Sequence, residues 1–289
     1  MSESIHPDTS IGAVSLTVAD LGRSLAFYQE VIGMRLQRRE GQTAYLGVGG
    51  PDLLILTERP GARAVRGRTG LYHFAILTPS RLALAKSLRR LAETNTRIGG
   101  FADHAVSEAI YLSDPDGNGI EIYRDRPRDE WPYRNGELQM TTDALDVDGL
   151  LAELEGKPWS WDGLHPDTTI GHIHLHVGDL EAAEAFYTQV LGFDLVTRYG
   201  PSAGFVSAGG YHHHIGFNTW AGVGVPPPPP DAAGLRWYEI RLPNTAGLDK
   251  VVARVRQAGL PVDEQEDGFL VRDPAENGIV LTVNQAKNE

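Results

Sequence analysis

The chain has 289 residues, a length for about two domains of ordinary size, and its 41% hydrophobic and 22% charged content is that of a globular protein. With no cysteine it excludes disulfides, thiolate metal sites, iron–sulfur clusters and cysteine nucleophiles, and it fits a reducing cytoplasm, the expected location. A net charge of −12 without any Lys/Arg run has the wrong sign for nucleic acid or an anionic membrane, so neither partner is expected.

The opening MSESIHPDTS has no basic segment followed by an apolar run, so no secretory signal is expected. No apolar stretch approaches the ~18 residues of a membrane span. Residues 11–18 alternate apolar with small or polar side chains, which predicts a strand. Asp20 is suited to cap a helix carrying Leu25, Tyr28, Val31 and Ile32 at helical spacing, and Gly33 ends it. Strands follow near 34–39, 43–48 and 52–57. A second unit reads the same way: strand 71–77, helix 80–94, then strands near 97–101, 107–113 and 119–124. A connector contains a short helix, 143–155, introduced by Asp143. A third unit covers 170–220 and a fourth about 234–284. Between them VGVPPPPPD sets five prolines in a row, a stiff polyproline II linker at the surface.

The units are related by an internal repeat. A shift of 159 residues carries IGAVSLTVADL (11–21) onto IGHIHLHVGDL (170–180), Ala26-Phe27-Tyr28 onto Ala185-Phe186-Tyr187, and DPDGNGI (114–120) onto DPAENGI (273–279). Where the second copy has His172, His174 and His176, the first has Ala13, Ser15 and Thr17. Each half divides again, so the chain reads as four β-α-β-β-β modules.

Four such modules, with their V-x-DL…FY…LG openings and DP-x-GN closings, resemble the vicinal oxygen chelate superfamily. That superfamily includes glyoxalase I, bleomycin and fosfomycin resistance proteins and extradiol ring-cleaving dioxygenases. SEAIYLSDPDGNGIEIYRDRP and YHHHIGFNTW look most like its catechol 2,3-dioxygenase branch. The resemblance implies an α+β fold, in which four βαβββ modules form two open, barrel-like sheets with helices outside. The domains expected are 9–126 (modules 11–60 and 70–125) and 169–285 (modules 170–220 and 234–284), joined by the connector 127–168.

The resemblance also implies that a divalent metal takes its ligands from the first and last strands of paired modules. The first-strand positions are Ala13, His73, His172 and Trp237; the last-strand positions are about Leu54, Glu121, His214 and Val280. Ala, Leu, Trp and Val bind no metal. If module two pairs with three, and one with four, His73, Glu121 and His172 meet in one sheet. They then make the two-imidazole, one-carboxylate set of non-haem Fe(II), with Mn(II) as the alternative ion. Conventional pairing instead offers His172, His214 and Glu239. A single histidine in an apolar strand is more often a satisfied core residue, but Glu121 between two isoleucines is costly if buried without a partner. His174 and His176 share a face with His172 and are read as outer partners or substrate contacts.

Extradiol cleavage implies a small aromatic diol, catechol or hydroquinone, with O₂ as co-substrate. It also needs groups that move protons. His104 and Tyr111, ahead of Glu121, match a histidine and a tyrosine that contact substrate oxygens in such enzymes. The acid–base histidine resembles either His213 or His214. The competing expectations are a glyoxalase-type isomerase or lyase, which needs a second acidic ligand, and a metal-free binding or resistance protein. The oligomeric state is left open, a homo-oligomer included.

Overall fold

The structure, a computed structural model, describes residues 4–284. Module one holds β1 (Ser10–Val18), α1 (Leu21–Ala26), β2 (Arg35–Glu40), β3 (Thr43–Gly47) and β4 (Asp52–Glu58). Module two holds β5 (Gly70–Leu77), α2 (Arg81–Glu93), β6 (Ile98–Asp103), β7 (Ser107–Ser113) and β8 (Gly119–Asp125). The connector carries the hairpin β9 (Tyr133–Arg134) and β10 (Glu137–Leu138), then α3 (Val147–Ala152). Module three holds β11 (Thr169–His176), α4 (Leu180–Ala185), β12 (Asp194–Tyr199), β13 (Ala203–Ser207) and β14 (Ile215–Asn218). Module four holds β15 (Gly234–Leu242), α5 (Thr245–Gln257), β16 (Asp263–Gln265), β17 (Gly268–Arg272) and β18 (Gly278–Val283). Among the described residues no helix is long and apolar enough to cross a membrane.

Two eight-stranded sheets result. One has the order β16-β17-β18-β15-β1-β4-β3-β2, and the other β12-β13-β14-β11-β5-β8-β7-β6. Modules one and four thus share a sheet, and modules two and three share the other. In modules two, three and four the first and last strands run parallel, and the remaining pairs within the modules are antiparallel.

The chain folds into two compact units. One comprises Leu16–Ala64 and His73–Gly171; the other comprises, of the described residues, 4–15, 65–72 and 172–284.

In the first unit, Asp20 accepts from the Arg23 amide at 2.9 Å and starts α1. The helix then continues as a π-helical turn over Phe27–Ile32 rather than as one α-helix, and ends at Gly33 with φ +90°. Tyr28, fully buried, donates to Asp114 Oδ2 at 2.9 Å. Asp114 also receives the Asn118 side-chain amide and the backbone amides of Asp116 and Asn118. Burial pushes the Asp114 carboxyl up from its ordinary value, and these bonds pull it part of the way back. The FY pair and the DPDGN turn, repeated as DPAEN in the second half, are therefore two ends of one structural clamp. The connector helix is shorter than the sequence predicts: it runs over Val147–Ala152 and is capped by Asp146. Asp143 instead exchanges two backbone hydrogen bonds with Asp103, extending the pairing at the end of β6.

The second unit repeats the clamp. Asp179 caps α4 through the Ala182 amide, a second π turn spans Phe186–Leu191, and Tyr187 donates to Asp273 at 2.9 Å. Tyr238 extends the chain by donating to Tyr187 at 3.2 Å. Prolines 226–230 are exposed and outside regular structure, as a linker requires.

Candidate metal centre

In module two, strand register decides which side chains share a face. Ala75 lies opposite Glu121 on the parallel neighbour, and Tyr111 lies opposite Glu121 on the antiparallel one. A period of two therefore puts His73, Ala75, Tyr111, Glu121 and Tyr123 together. Phe74, Ile76, Ile110, Ile120 and Ile122, all buried, take the other face, on the side of α2. His73 and Glu121 are 6% and 2% exposed, and Nε2 lies 3.1 Å from Oε2. The Tyr111 ring centroid is 5.7 Å from that of His73.

His104 sits just past the end of β6. Its Nδ1 is 2.7 Å from the Thr141 carbonyl, and its Nε2 is 2.7 Å from the Tyr111 hydroxyl. A carbonyl only accepts, so Nδ1 carries the proton, and in the neutral ring Nε2 accepts from the tyrosine. The turn that presents His104 is held by Asp103, whose carboxylate takes the Ala105 amide at 2.9 Å and Arg126 at 2.5 Å. The sequence named His104 and Tyr111 as substrate contacts, without their bond to each other. It missed Thr141, because a backbone acceptor on a distant connector leaves no residue-type signal.

In module three, His172 and His174 are buried and His176 is half-buried on one face of β11. The His213 ring lies 4.1 Å from that of His172, and His212 lies 6.1 Å from it. His212 and His213 approach Nδ1 to Nδ1 at 2.8 Å, so one ring donates to the other. His214 turns elsewhere: its Nδ1 accepts from the Ala208 amide at 3.1 Å, and its ring packs on Tyr211 at 4.9 Å.

The last-strand positions need two corrections. Tyr111 faces Glu121 across β7 and β8, and by the same register Tyr45 faces Ile55 and Phe205 faces Gly216. The equivalents of Glu121 are thus Ile55, not Leu54, and Gly216, not His214. Strand β14 begins only at Ile215, so residues 211–214 precede it as an irregular segment, and alternation counted back through them fails. A Cβ on Gly216 would stand 2.9 Å from Cγ of His174. The His174 ring fills the space that a ligand side chain would occupy in module three.

Potential ligand atoms of His73, Glu121 and His172, all three buried, lie within 4.8 Å of one another. Two imidazoles and a carboxylate fit a divalent ion: converging lone pairs repel unless a cation or proton stands among them, and a buried carboxylate requires a counter-charge. Glu239 is committed elsewhere. It accepts from the Ala13 amide at 2.9 Å, from Arg241 at 2.8 Å and from Thr282 at 2.6 Å. Among the described residues, the alternative set of His172, His214 and Glu239 is not one of the groups placed to hold an ion.

The family model described as Glyoxalase/Bleomycin resistance protein/Dioxygenase superfamily matches residues 10–122 and 169–281. Catechol-2,3-dioxygenase of Bacillus subtilis (strain 168) is 52% identical over 285 residues, covering 97% of this chain and 99% of that protein. Among solved structures, a putative dioxygenase from Bacillus subtilis superposes with a TM-score of 0.64 at 16% identity, covering 98% of this chain and 86% of that one. Glyoxalase I from Zea mays superposes with a TM-score of 0.59 at 19% identity, covering 96% and 93%. At those identities the structural likeness establishes the vicinal oxygen chelate fold. The chain belongs to the glyoxalase, bleomycin resistance protein and dioxygenase superfamily. Within it, the full-length likeness to a catechol-2,3-dioxygenase makes it a dioxygenase-like oxidoreductase.

Proposed function

We propose that the chain is an extradiol dioxygenase that opens a catechol-type ring with O₂, using Fe(II) held by His73, Glu121 and His172. The observation that carries this reading is the convergence of those three buried ligand groups in a chain so similar to a catechol-2,3-dioxygenase. Mn(II) suits the same donor set and is the alternative ion.

Bound Fe(II) would supply Lewis acidity toward both diol oxygens and a path for electrons from ring to O₂. The protein's own groups manage the protons. Tyr111 and His104 form a relay whose direction is set by Thr141, so a proton leaving the diol passes by way of the phenol toward His104 Nε2. His213, beside His172, is the proton donor to oxygen as the O–O bond breaks. His214 has the structural task of holding the Ala208 amide. Gly216, where a fourth ligand would stand, opposes an isomerase of the glyoxalase type, which needs a second acidic ligand.

The test is anaerobic loading with Fe(II), addition of catechol and admission of air. A yellow ring-fission product is expected, with less from a Mn(II)-loaded sample. Absence of product with either ion, over a range of catechols, would sink the reading.

A further inference from the structure

Three strands of module two carry charge at one level. Asp103 on β6 stands directly opposite Glu108 on β7, and Glu108 stands directly opposite Arg124 on β8. Two acids facing each other across a strand pair repel unless a cation stands between them. Arg126 is that cation: its Nη2 lies 2.5 Å from Asp103 Oδ2 and 3.6 Å from Glu108 Oε1. Glu108, 2% exposed, is fixed in turn by Arg124 at 2.7 Å and by Arg81, the first residue of α2, at 3.0 Å. Arg81 reaches on to the Gly149 carbonyl of α3 at 2.8 Å. By strand alternation Glu108 and Arg124 lie on the sheet face opposite the one bearing Tyr111 and Glu121.

Two supports of His104 end on Asp103. The first is the turn itself. Ala105 has φ +65°, a left-handed conformation that residues with a Cβ avoid, and its amide is held by Asp103 Oδ1 at 2.9 Å. The second is the connector. Asp143 exchanges backbone hydrogen bonds with Asp103 at 2.9 and 3.0 Å, and nearby the Thr141 carbonyl meets His104 Nδ1 at 2.7 Å. Packing supports this region incompletely, since a cavity of about 300 Å³ borders it, lined by Asp103, Ala105, Arg126, Glu130, Pro132 and Asp143. Polar bonds therefore carry much of its geometry.

We propose that Arg126 and Asp103 are positioning residues for His104. By bridging Asp103 to the buried Glu108, Arg126 keeps the ring with its Nδ1 proton on Thr141 and its Nε2 lone pair toward Tyr111. This rests on the relay in the functional reading above and names the residues that hold it in place.

The experiment uses the full chain, loaded with Fe(II) for rates and with diamagnetic Zn(II) for nitrogen NMR spectra of isotope-labelled histidines. In the spectra His104, identified by the loss of its signals in His104→Gln, is expected as a single Nδ1–H tautomer, and Arg126→Ala gives a mixture. With catechol, Arg126→Ala lowers kcat by about tenfold while KM moves by less than about twofold. In the Tyr111→Phe background the same substitution costs less than about twofold more, because the relay it serves is already broken. Arg126 meets Asp103 through one nitrogen, so Arg126→Lys restores most of the rate. Asp103→Asn keeps the acceptor for Ala105 and loses the ion pair. It lowers kcat in the same way, and it takes the place of Arg126→Ala if circular dichroism shows that variant unfolded. An alanine variant at full kcat, an equal loss in both backgrounds, or a lysine variant no better than alanine overturns the assignment. Should the unaltered protein open no ring, the functional reading fails separately and the spectra decide the positioning. A tautomer unchanged in Arg126→Ala overturns it, and a mixture supports it.

Discussion

The Tyr111 hydroxyl lies 2.7 Å from His104 Nε2, while the opposite nitrogen of the same ring lies 2.7 Å from the Thr141 carbonyl. A tyrosine on β7, a histidine past β6 and a backbone oxygen from the connector thus form one directed relay. Tyr111→Phe removes the proton-carrying oxygen and keeps the ring. We expect kcat to fall by roughly 100-fold, the scale of a lost general acid–base group, with Fe(II) content unchanged. Steady-state rates and metal analysis on the same preparation check this. An unchanged kcat would exclude the relay.

The three proposed ligands differ from Glu239, the acidic residue of the alternative set. His73→Ala, His172→Ala and Glu121→Gln should each weaken Fe(II) binding by at least about 100-fold, since loss of an outer partner alone costs 10–100-fold. Glu239→Gln should retain the metal, because its carboxylate is committed to Arg241, Thr282 and the Ala13 amide. Anaerobic Fe(II) titration reads the outcome, with circular dichroism to confirm folding. Full iron in His172→Ala would refute the ligand set.

Alkaline stability follows from three buried phenols. Burial, reinforced by Asp114 and by Asp273, raises Tyr28, Tyr187 and Tyr238 well above the ordinary tyrosine value. The unfolded chain therefore loses these protons first, from about pH 10 upward. Below that pH their contribution to stability is fully present, and it is lost as pH rises toward the raised folded values. Denaturant midpoints should fall steeply above about pH 10, and Tyr238→Phe should make that fall shallower. An equally steep decline in Tyr238→Phe would contradict the assignment.

The clamp between FY and DP-x-GN has its own test. Tyr28→Phe removes one hydrogen bond from the buried Asp114 carboxyl, which keeps its three other donors. A loss of about 1–2 kcal/mol is expected in urea unfolding, and a similar loss for Tyr187→Phe. A neutral effect in both would show that the repeated motif has another purpose.

Gly216→Ala probes the space held by His174. The added Cβ would meet His174 Cγ at 2.9 Å and displace the ring, at a cost of about 1–3 kcal/mol. Thermal unfolding measures this cost. An unaltered Tm would mean that the ring moves aside freely.

Much of the architecture was legible because repetition averages out local ambiguity. One offset of 159 residues aligned caps, helices and closing turns, and the strand boundaries expected in modules one and two lay within two residues of those observed. The π turns at Phe27–Ile32 and Phe186–Leu191 were not legible, since an extra residue in a turn barely alters hydrophobic spacing. The connector helix was placed too early because Asp143 and Asp146 are equally good caps locally. A long-range pairing with Asp103 took Asp143 out of contention. His213 and His214 stayed ambiguous for a related reason: alternation holds only within a strand, and both residues precede β14.

By itself the sequence determined four modules, the chemistry available to them and the absence of ligand side chains at the chosen positions in the outer two. Those are matters of residue type and short-range periodicity. Only the tertiary structure decided which modules share a sheet, that His73 faces Glu121, and that Glu239 is tied up with Arg241. Module pairing is settled by strand edges far apart in the chain meeting in register, and no local pattern encodes which edge a free strand will find.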